Sequence, residues 1–487
     1  MPSLSLPNAF REKYRCLLGP VEGTAFLASF DQPAVKGFRF NPKKMTTRSP
    51  EIVDLKAKAT AIPWSLLGYY GQVKGTAIAQ TSGAIYSQEP SAQAVAAFAD
   101  PRPGSRVLDL CAAPGGKTTQ LAGILGETGL LVANEIDRQR AKILSENVER
   151  FGYSNVVVTN HEPQRLAQLF PNFFDMIVVD APCSGEGMFR KDPDAIQYWQ
   201  ADYPLACQQR QRQILTEALK MLAPEGTLVY STCTFAPEED EENIAWLLTK
   251  EPTMRLVAPN SATWAQVDRG RPEWGQDRPE MTQTLRFWPQ HLRGEGHFLA
   301  KLQRTMPAPA IKSQVVKRTD TPLTAPERRH PQQRRQERST GLQPLSKNEG
   351  AIWLDFCRQN KISLPDFFEK LQLQHDQQQL FAIPKELPAL SGVHYVRRGL
   401  WLGELRKNRF VPNQALVMAL PSAAFAVTIE LDQADYQRFR HGETVDLPAT
   451  TLAKGWYPVA TQGLIFSWGY LVGNTVKNFY PKNLRTR

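Results

Sequence analysis

The chain of 487 residues has only six cysteines, at 16, 111, 183, 207, 233 and 357, and none forms a CxxC pair. Histidines number just seven, so the ligand spacing of a zinc site is absent and no metal is expected. No run approaches the roughly 18 apolar residues that span a bilayer. Met1 to Tyr14 lacks an apolar stretch behind a basic cap, as a secretory leader would need. These gaps exclude a disulfide scaffold and a membrane protein, and they favour a cytoplasmic protein with reduced thiols. No internal repeat is evident.

Hydrophobic residues make up 42% of the chain, enough for sizeable cores, and its length suggests about three domains. The formal charge of +10, from 58 basic and 48 acidic residues, favours a polyanionic partner without demanding one. Residues 1–90 read as an N-terminal extension with helical patterns over Pro7–Leu18 and Gly23–Phe30. Its basic stretch at Arg39, Lys43, Lys44 and Arg48 suits either a solvated loop or phosphate contact.

From 91 to 305 strands alternate with helices. Arg106–Leu110, Leu130–Glu135, Asn155–Thr159, Phe174–Asp180 and Thr227–Ser231 read as strands, and Thr118–Leu125, Arg138–Phe151 and Leu205–Leu222 as helices. Such spacing predicts βαβ units and an α/β, doubly wound, mostly parallel sheet, with His297–Leu302 returning as a late edge strand. Residues 306–342 lose periodicity. Eight Lys or Arg face three acids between 312 and 338, with prolines at 322, 326 and 331, as in a basic linker. The last part, 343–487, has its own core, with a helix at Asn348–Cys357 and strands at Leu400–Leu405, Ala424–Leu431 and Gly463–Val472. Aromatics at Trp456-Tyr457, Phe466, Trp468, Tyr470 and Phe479-Tyr480 lie near Lys477, Lys482, Arg485 and Arg487, and suit either core or an RNA-facing surface.

The first strand enters Cys111-Ala112-Ala113-Pro114-Gly115-Gly116-Lys117, a small-residue loop that opens a helix, as nucleotide-type sites do. It is not a phosphate loop: that motif needs glycine where Cys111 stands, and Pro114 removes an amide donor. The dinucleotide pattern G-x-G-x-x-G is also missing. Glu135, ending the second strand, is placed to accept from ribose hydroxyls; Glu162, after the third, reads by itself as an ordinary loop acid, with an adenine amine as the alternative contact, and Asp137 reads as a first-turn helix acid. An adenosyl ligand without a critical pyrophosphate follows, and S-adenosyl-L-methionine fits.

Two cysteines end buried-strand patterns: Cys183 in Asp180-Ala181-Pro182-Cys183-Ser184 and Cys233 in Ser231-Thr232-Cys233-Thr234. The carboxyl edge of an open α/β sheet is where such folds place their chemistry. Two thiols and a carboxylate beside a cofactor loop suit nucleophilic attack on an electron-poor ring. Cys16, Cys207, Cys357 and the side chain of Cys111 read instead as small buried hydrophobes.

Together, Asp109–Thr119, Asp180–Gly187 and the Thr232-Cys233 pair resemble the NOL1/NOP2/Sun family of RNA cytosine-C5 methyltransferases. The Ala25–Pro42 segment, Tyr86–Ser91 and the C-terminal extension resemble its bacterial small-subunit branch. That resemblance implies a Rossmann-like catalytic domain, a PUA-like RNA-binding module near the C-terminus, and a cytosine target in the decoding region of 16S rRNA, typically position 1407, within the 30S subunit. It further implies Cys233 as nucleophile, Cys183 in product release, Asp180 on the cytosine ring and Lys117 in seating the base. Cys111 to Lys117, Glu135, Glu162 and Asp180 would line the cofactor site, with Glu162 standing where the family usually has aspartate. Arg190 and Lys191, following Cys183, suit either a solvated loop or, given that proximity, a grip on the adjoining phosphates. The competing readings are a DNA cytosine methyltransferase, which would attack with the Pro-Cys thiol, a tRNA-directed enzyme of the same family, and an RNA-binding protein on a retired methyltransferase fold.

Overall fold

A computed structural model describes residues 4–45, 49–259, 262–305 and 342–486. The N-terminal part holds α1 (Asn8–Ser29), β1 (Gly37–Phe40), α2 (Pro50–Lys58), β2 (Gly68–Tyr70), α3 (Ile78–Thr81) and β3 (Ile85–Ser87). The two helical patterns read near the start run together as α1, broken by a kink where Gly19 adopts φ +78° ahead of Pro20. β1 pairs antiparallel with both β2 and β3.

The central part runs α4 (Pro90–Ala99), β4 (Arg106–Asp109), α5 (Gly116–Leu125), β5 (Leu130–Asn134), α6 (Arg138–Phe151), β6 (Val156–Thr159), α7 (Pro163–Leu169), β7 (Phe174–Asp180), α8 (Tyr203–Met221), β8 (Leu222–Thr232), α9 (Glu241–Lys250), β9 (Met254–Leu256), β10 (Asp268–Arg269), β11 (Leu285–Phe287) and β12 (His297–Arg304). Strands β8, β7, β4, β5 and β6 are parallel neighbours in that order. Successive residues alternate between two cores: Val107, Val156, Val178 and Val229 pack on one face, Leu108, Val157, Val179 and Leu228 on the other. Burial on both faces is why these strands read as continuous apolar runs. Helix α6 starts where Asp137 accepts from the amides of Gln139 and Arg140, and stops at Gly152 in the left-handed region.

Strand β12 lies antiparallel between β8 and β11, so the expected edge position is corrected: the short β10 and β11 hydrogen-bond beyond it. The opposite edge is covered from far along the chain. After β13 (Gln343–Pro344), α10 (Lys347–Gln359), β14 (Leu371–Asp376) and β15 (Gln379–Pro384), strand β16 (Tyr395–Arg397) pairs antiparallel with β6. Strands β17 (Leu400–Arg406) and β18 (Arg409–Pro412) complete a second, five-stranded sheet with β13 to β15, followed by α11 (Gln414–Ala419).

A third unit contains β19 (Ile429–Glu430), α12 (Gln433–His441), β20 (Val445–Asp446), β21 (Gly455–Thr461), β22 (Leu464–Val472) and β23 (Thr475–Asn478). The strand expected over Ala424–Leu431 shrinks to two residues, because Ala424 ends a short 3-10 turn opened by Pro421. This unit shares a core with the N-terminal sheet: Phe38, Ile78 and Ile85 pack with Phe439, Phe466 and Tyr480. The basic linker of 306–342 lies, apart from Leu342, outside the described residues. Among the described helices none is long and apolar enough to cross a membrane.

Candidate active site

Strand β4 pairs with β5 on one side and β7 on the other, so the loops leaving β4 and β7 diverge and open a crevice. The β4 loop runs through Cys111 to Gly115 into α5. Its backbone is fixed from neighbouring elements: Ala112 N donates to Asn134 O at 2.9 Å, Arg140 donates to Ala113 O at 2.8 Å, and Asn147 donates to Pro114 O at 2.7 Å. Gly115 takes φ +108° with Leu144 3.1 Å from where a Cβ would stand, so a larger residue is disfavoured twice over.

Three carboxylates gather around this loop. Asp109 is fully buried; burial lifts its pKa to about 7 against the lowering bond from Thr118, with Asp180 raising it further, Lys117 lowering it and Glu135 raising it. Its Oδ1 has no hydrogen-bond partner among the described residues. Glu135 is buried, accepting from Asp137 N at 3.0 Å, with Arg140 at 3.6 Å. The Glu135 and Asp180 carboxylates beside this loop fit a cationic sulfonium ligand carrying an ammonium group, as S-adenosyl-L-methionine does. Glu162 lies exposed as the N-cap of α7, and Asn160 instead binds the Glu135 and Ile136 carbonyls at 2.7 and 2.9 Å.

Beside the crevice, the loops after β7 and β8 bring the two thiols together, with Cys183 Sγ and Cys233 Sγ 3.3 Å apart. The loops are stapled to each other. Ser184 and Thr234 hydroxyls lie 2.7 Å apart, Gly187 N donates to Cys233 O at 2.9 Å, and buried Glu186 accepts from Thr234, Phe235 N and Trp199. Glu239 accepts from Ser184 N at 3.0 Å and Gln211 at 2.7 Å. The bond to Cys233, then burial and the charges of Cys233 and Glu239, raise the Cys183 thiol well above its ordinary value, against a lowering backbone bond. The neighbouring sulfur and burial therefore favour the protonated form of Cys183.

Asp180 ends β7 with both oxygens engaged: Lys117 Nζ lies 2.6 Å from Oδ2, and Ser231 donates to Oδ1 at 2.7 Å. Burial works to lower the Lys117 pKa, but Asp180 outweighs it and the lysine is held above its usual value. The structure thus brings Lys117, Asp180, Cys183 and Cys233 to one edge. Ser231 and Glu186 lay inside motifs the sequence singled out, whereas Glu239 and His297 carried no local signal.

Several basic and thiol assignments need correction. Arg190 does not face solvent: it is buried against Glu295 at 2.8 Å and donates to the Ser29 and Gly294 carbonyls. Lys191 is exposed. Arg39, 3% exposed, is neither a solvated-loop residue nor a phosphate ligand; it binds Gln88 and Gly116 O, both at 2.7 Å, and Thr119. Lys43 and Lys44 reach the carbonyls of Gly152 and of Ser82 and Arg150. Arg48 lies outside the described residues. Cys207 and Cys357 are buried and Cys111 half-buried, but Cys16 is exposed.

Comparison with known proteins agrees with this layout. Residues 96–303 match the profile "16S rRNA methyltransferase RsmB/F", 6–90 the N-terminal domain of 16S rRNA methyltransferase RsmF, 355–420 the first C-terminal domain of the RsmF rRNA methyltransferase, and 426–486 its PUA domain. A methyltransferase homologue from Pyrococcus horikoshii superposes with TM-score 0.53 at 28% identity, over 62% of this chain and 96% of that one. NSun6 of the same organism, at 22% identity and TM-score 0.54 over 62% and 99%, shares the fold. Ribosomal RNA small subunit methyltransferase F of Escherichia coli (strain SE11) is 30% identical over 98% of this chain and 96% of its own. The protein of that name from Cronobacter sakazakii is 30% identical over 99% of this chain and 97% of its own, and the chain belongs to the ribosomal RNA small subunit methyltransferase F family, with S-adenosyl-L-methionine as its methyl donor.

Proposed function

We propose that the chain methylates carbon 5 of a cytosine in 16S rRNA through a covalent adduct to Cys233. The observation that carries this reading is the meeting of two thiols at 3.3 Å beside the Lys117–Asp180 pair at the carboxyl edge of the sheet. Carbon 5 of cytosine is a poor nucleophile. Addition of the Cys233 thiolate forms a sulfur–carbon 6 bond and pushes the ring electrons toward carbon 5, with nitrogen 3 taking a proton, so that carbon 5 becomes an enamine carbon.

When bound, S-adenosyl-L-methionine supplies the methyl cation equivalent, and its sulfur departs as a neutral thioether. Asp180, fixed by Lys117 and Ser231, addresses the nitrogen edge of the base; a carboxylate next to a thiol would oppose its ionisation, so Asp180 is not the activator of Cys233. A base then takes the carbon 5 proton, nitrogen 3 returns the proton it took to water, the ring double bond re-forms and Cys233 leaves as thiolate. Cys183, kept protonated, serves product release. Residues 111–117 with Glu135, Glu162 and Asp180 line the donor site. The target base has to leave any stack, at a cost of a few kcal/mol, which the RNA contacts of the flanking units offset.

The intended substrate is the decoding region, position 1407 in the family, within the 30S subunit. Tritium transfer from labelled donor to 30S subunits, 16S rRNA, bulk tRNA and duplex DNA tests this. Label on 30S or 16S RNA that vanishes with Cys233→Ala, while Cys183→Ala accumulates a covalent RNA adduct, is expected. Activity surviving Cys233→Ala but lost in Cys183→Ala would reverse the thiol roles, and label confined to tRNA would move the target.

A further inference from the structure

His297, at the start of β12, is a buried polar side chain in the active site that the mechanism above leaves unused. Its Nδ1 lies 2.6 Å from the carbonyl oxygen of Gly296. A carbonyl only accepts, so Nδ1 carries the hydrogen and Nε2 presents a bare lone pair. That Nε2 is buried and has no hydrogen-bond partner among the described residues. It lies 4.0 Å from Asp180 Oδ1, so two acceptors face one another without a proton between them.

The surroundings keep the ring in this form. Burial first, then the Lys117 charge, depress its pKa to about 4, against the raising influence of Asp180, Glu89 and the Gly296 carbonyl. Lys117, Asp180 and Glu89 are the charged groups facing it, and Lys117 is already committed to Asp180 at 2.6 Å. The neutral imidazole is therefore an acceptor near neutral pH. A buried acceptor without a donor is costly, and functional sites are where that cost is offset by a ligand.

We propose that His297 is a specificity-determining residue whose Nε2, together with Asp180 Oδ1, receives the exocyclic amine of the target base. An amine on nitrogen-bearing carbon 4 has two hydrogens and bridges two acceptors at this separation. The carbonyl that uracil carries in the same place would add a third acceptor to an acceptor pair, and is rejected. Protonation of nitrogen 3 during thiolate addition makes the amine a stronger donor, so the contact tightens as the adduct forms. This inference rests on the cytosine reading above.

The test uses the full chain and 30S subunits reconstituted with 16S rRNA carrying, at the target position, either cytosine or 2-pyrimidinone, the same ring without the amine. The rate of covalent adduct formation is measured in the Cys183→Ala background, where the adduct accumulates, with His297 intact, His297→Phe or His297→Gln, and calorimetric binding of S-adenosyl-L-methionine is the check on folding. His297→Phe keeps a flat ring and loses the acceptor; His297→Gln keeps an acceptor. The cytosine-to-2-pyrimidinone rate ratio is expected to fall about tenfold or more in His297→Phe and to stay within about threefold in His297→Gln. Because it is a ratio, it does not depend on the fraction of folded enzyme. An unchanged ratio in His297→Phe overturns the role of His297 while leaving the methylation chemistry standing. No adduct on either RNA with Cys183→Ala and His297 intact overturns the cytosine reading itself.

Discussion

Two basic regions of this chain look alike on paper and behave oppositely in space. The N-terminal stretch around Arg39, Lys43 and Lys44 is folded inward. Arg39 stacks near Tyr86 and Phe151 with centroid distances of 5.1 and 5.3 Å, and it grips the first turn of α5, so the extension holds the cofactor loop's helix from behind. At the other end, Lys454, Lys477 and Lys482 stay exposed. There β21, β22 and β23 line up Trp456, Tyr470 and Lys477 as successive cross-strand partners, and Phe479 lies 4.3 Å from Trp456 while 42% exposed. Phe466, Trp468 and Tyr480 of the same cluster are core. Charge alone, then, does not mark an RNA surface: a cation counts only where neighbouring carbonyls and carboxylates have not already claimed it.

The sharpest way to probe the buried half is pH. Asp109 stays protonated in the folded chain up to about pH 7, whereas unfolded it ionises near pH 4, so the folded state binds the extra proton in between. Stability is expected to fall as pH rises from about 4 to about 7, by up to about 4 kcal/mol, and then level off. Chemical denaturation of Asp109→Asn across that window should show a flatter profile; an unchanged slope would assign the effect elsewhere.

Removing Arg190 strands the buried Glu295 carboxylate. Arg190→Ala is expected to lose about 3 kcal/mol in urea unfolding, while Lys191→Ala, one residue away and exposed, stays within about 0.5 kcal/mol. Equal effects would erase the distinction between buried and exposed cations. Arg39→Ala should cost about 2 kcal/mol and weaken binding of S-adenosyl-L-methionine, since Gly116 and Thr119 lose their partner at the cofactor helix. Intact donor binding, seen by calorimetry, would separate the extension from the site.

The smallest effect on stability belongs to the exposed ledge. Lys477→Ala is expected to leave the melting temperature unchanged and to reduce the magnitude of the salt-dependence slope of RNA binding by about 1. A slope equal to the wild type's would mean that the ledge does not touch RNA.

By itself the sequence determined the parallel sheet, because strands buried on both faces must be continuous apolar runs, as Met176–Val179 and Val156–Val158 are. It also determined the helix over Arg138–Phe151, although Asp137, read there as a first-turn acid, is its N-cap, and it placed both cysteine motifs at strand ends. Tertiary structure decided what depends on distant partners. It turned Arg190 and Arg39 inward, where acceptors from Glu295 and Gly116, about 105 and 77 residues away, outcompete water. It carried β16 back across more than 200 residues to close the β6 edge, and it set β12 inside the sheet rather than at its margin. His297 shows the difference most plainly: a histidine opening a strand says nothing in sequence, and only the packing of Asp180, Lys117 and Gly296 around it leaves one nitrogen without a partner.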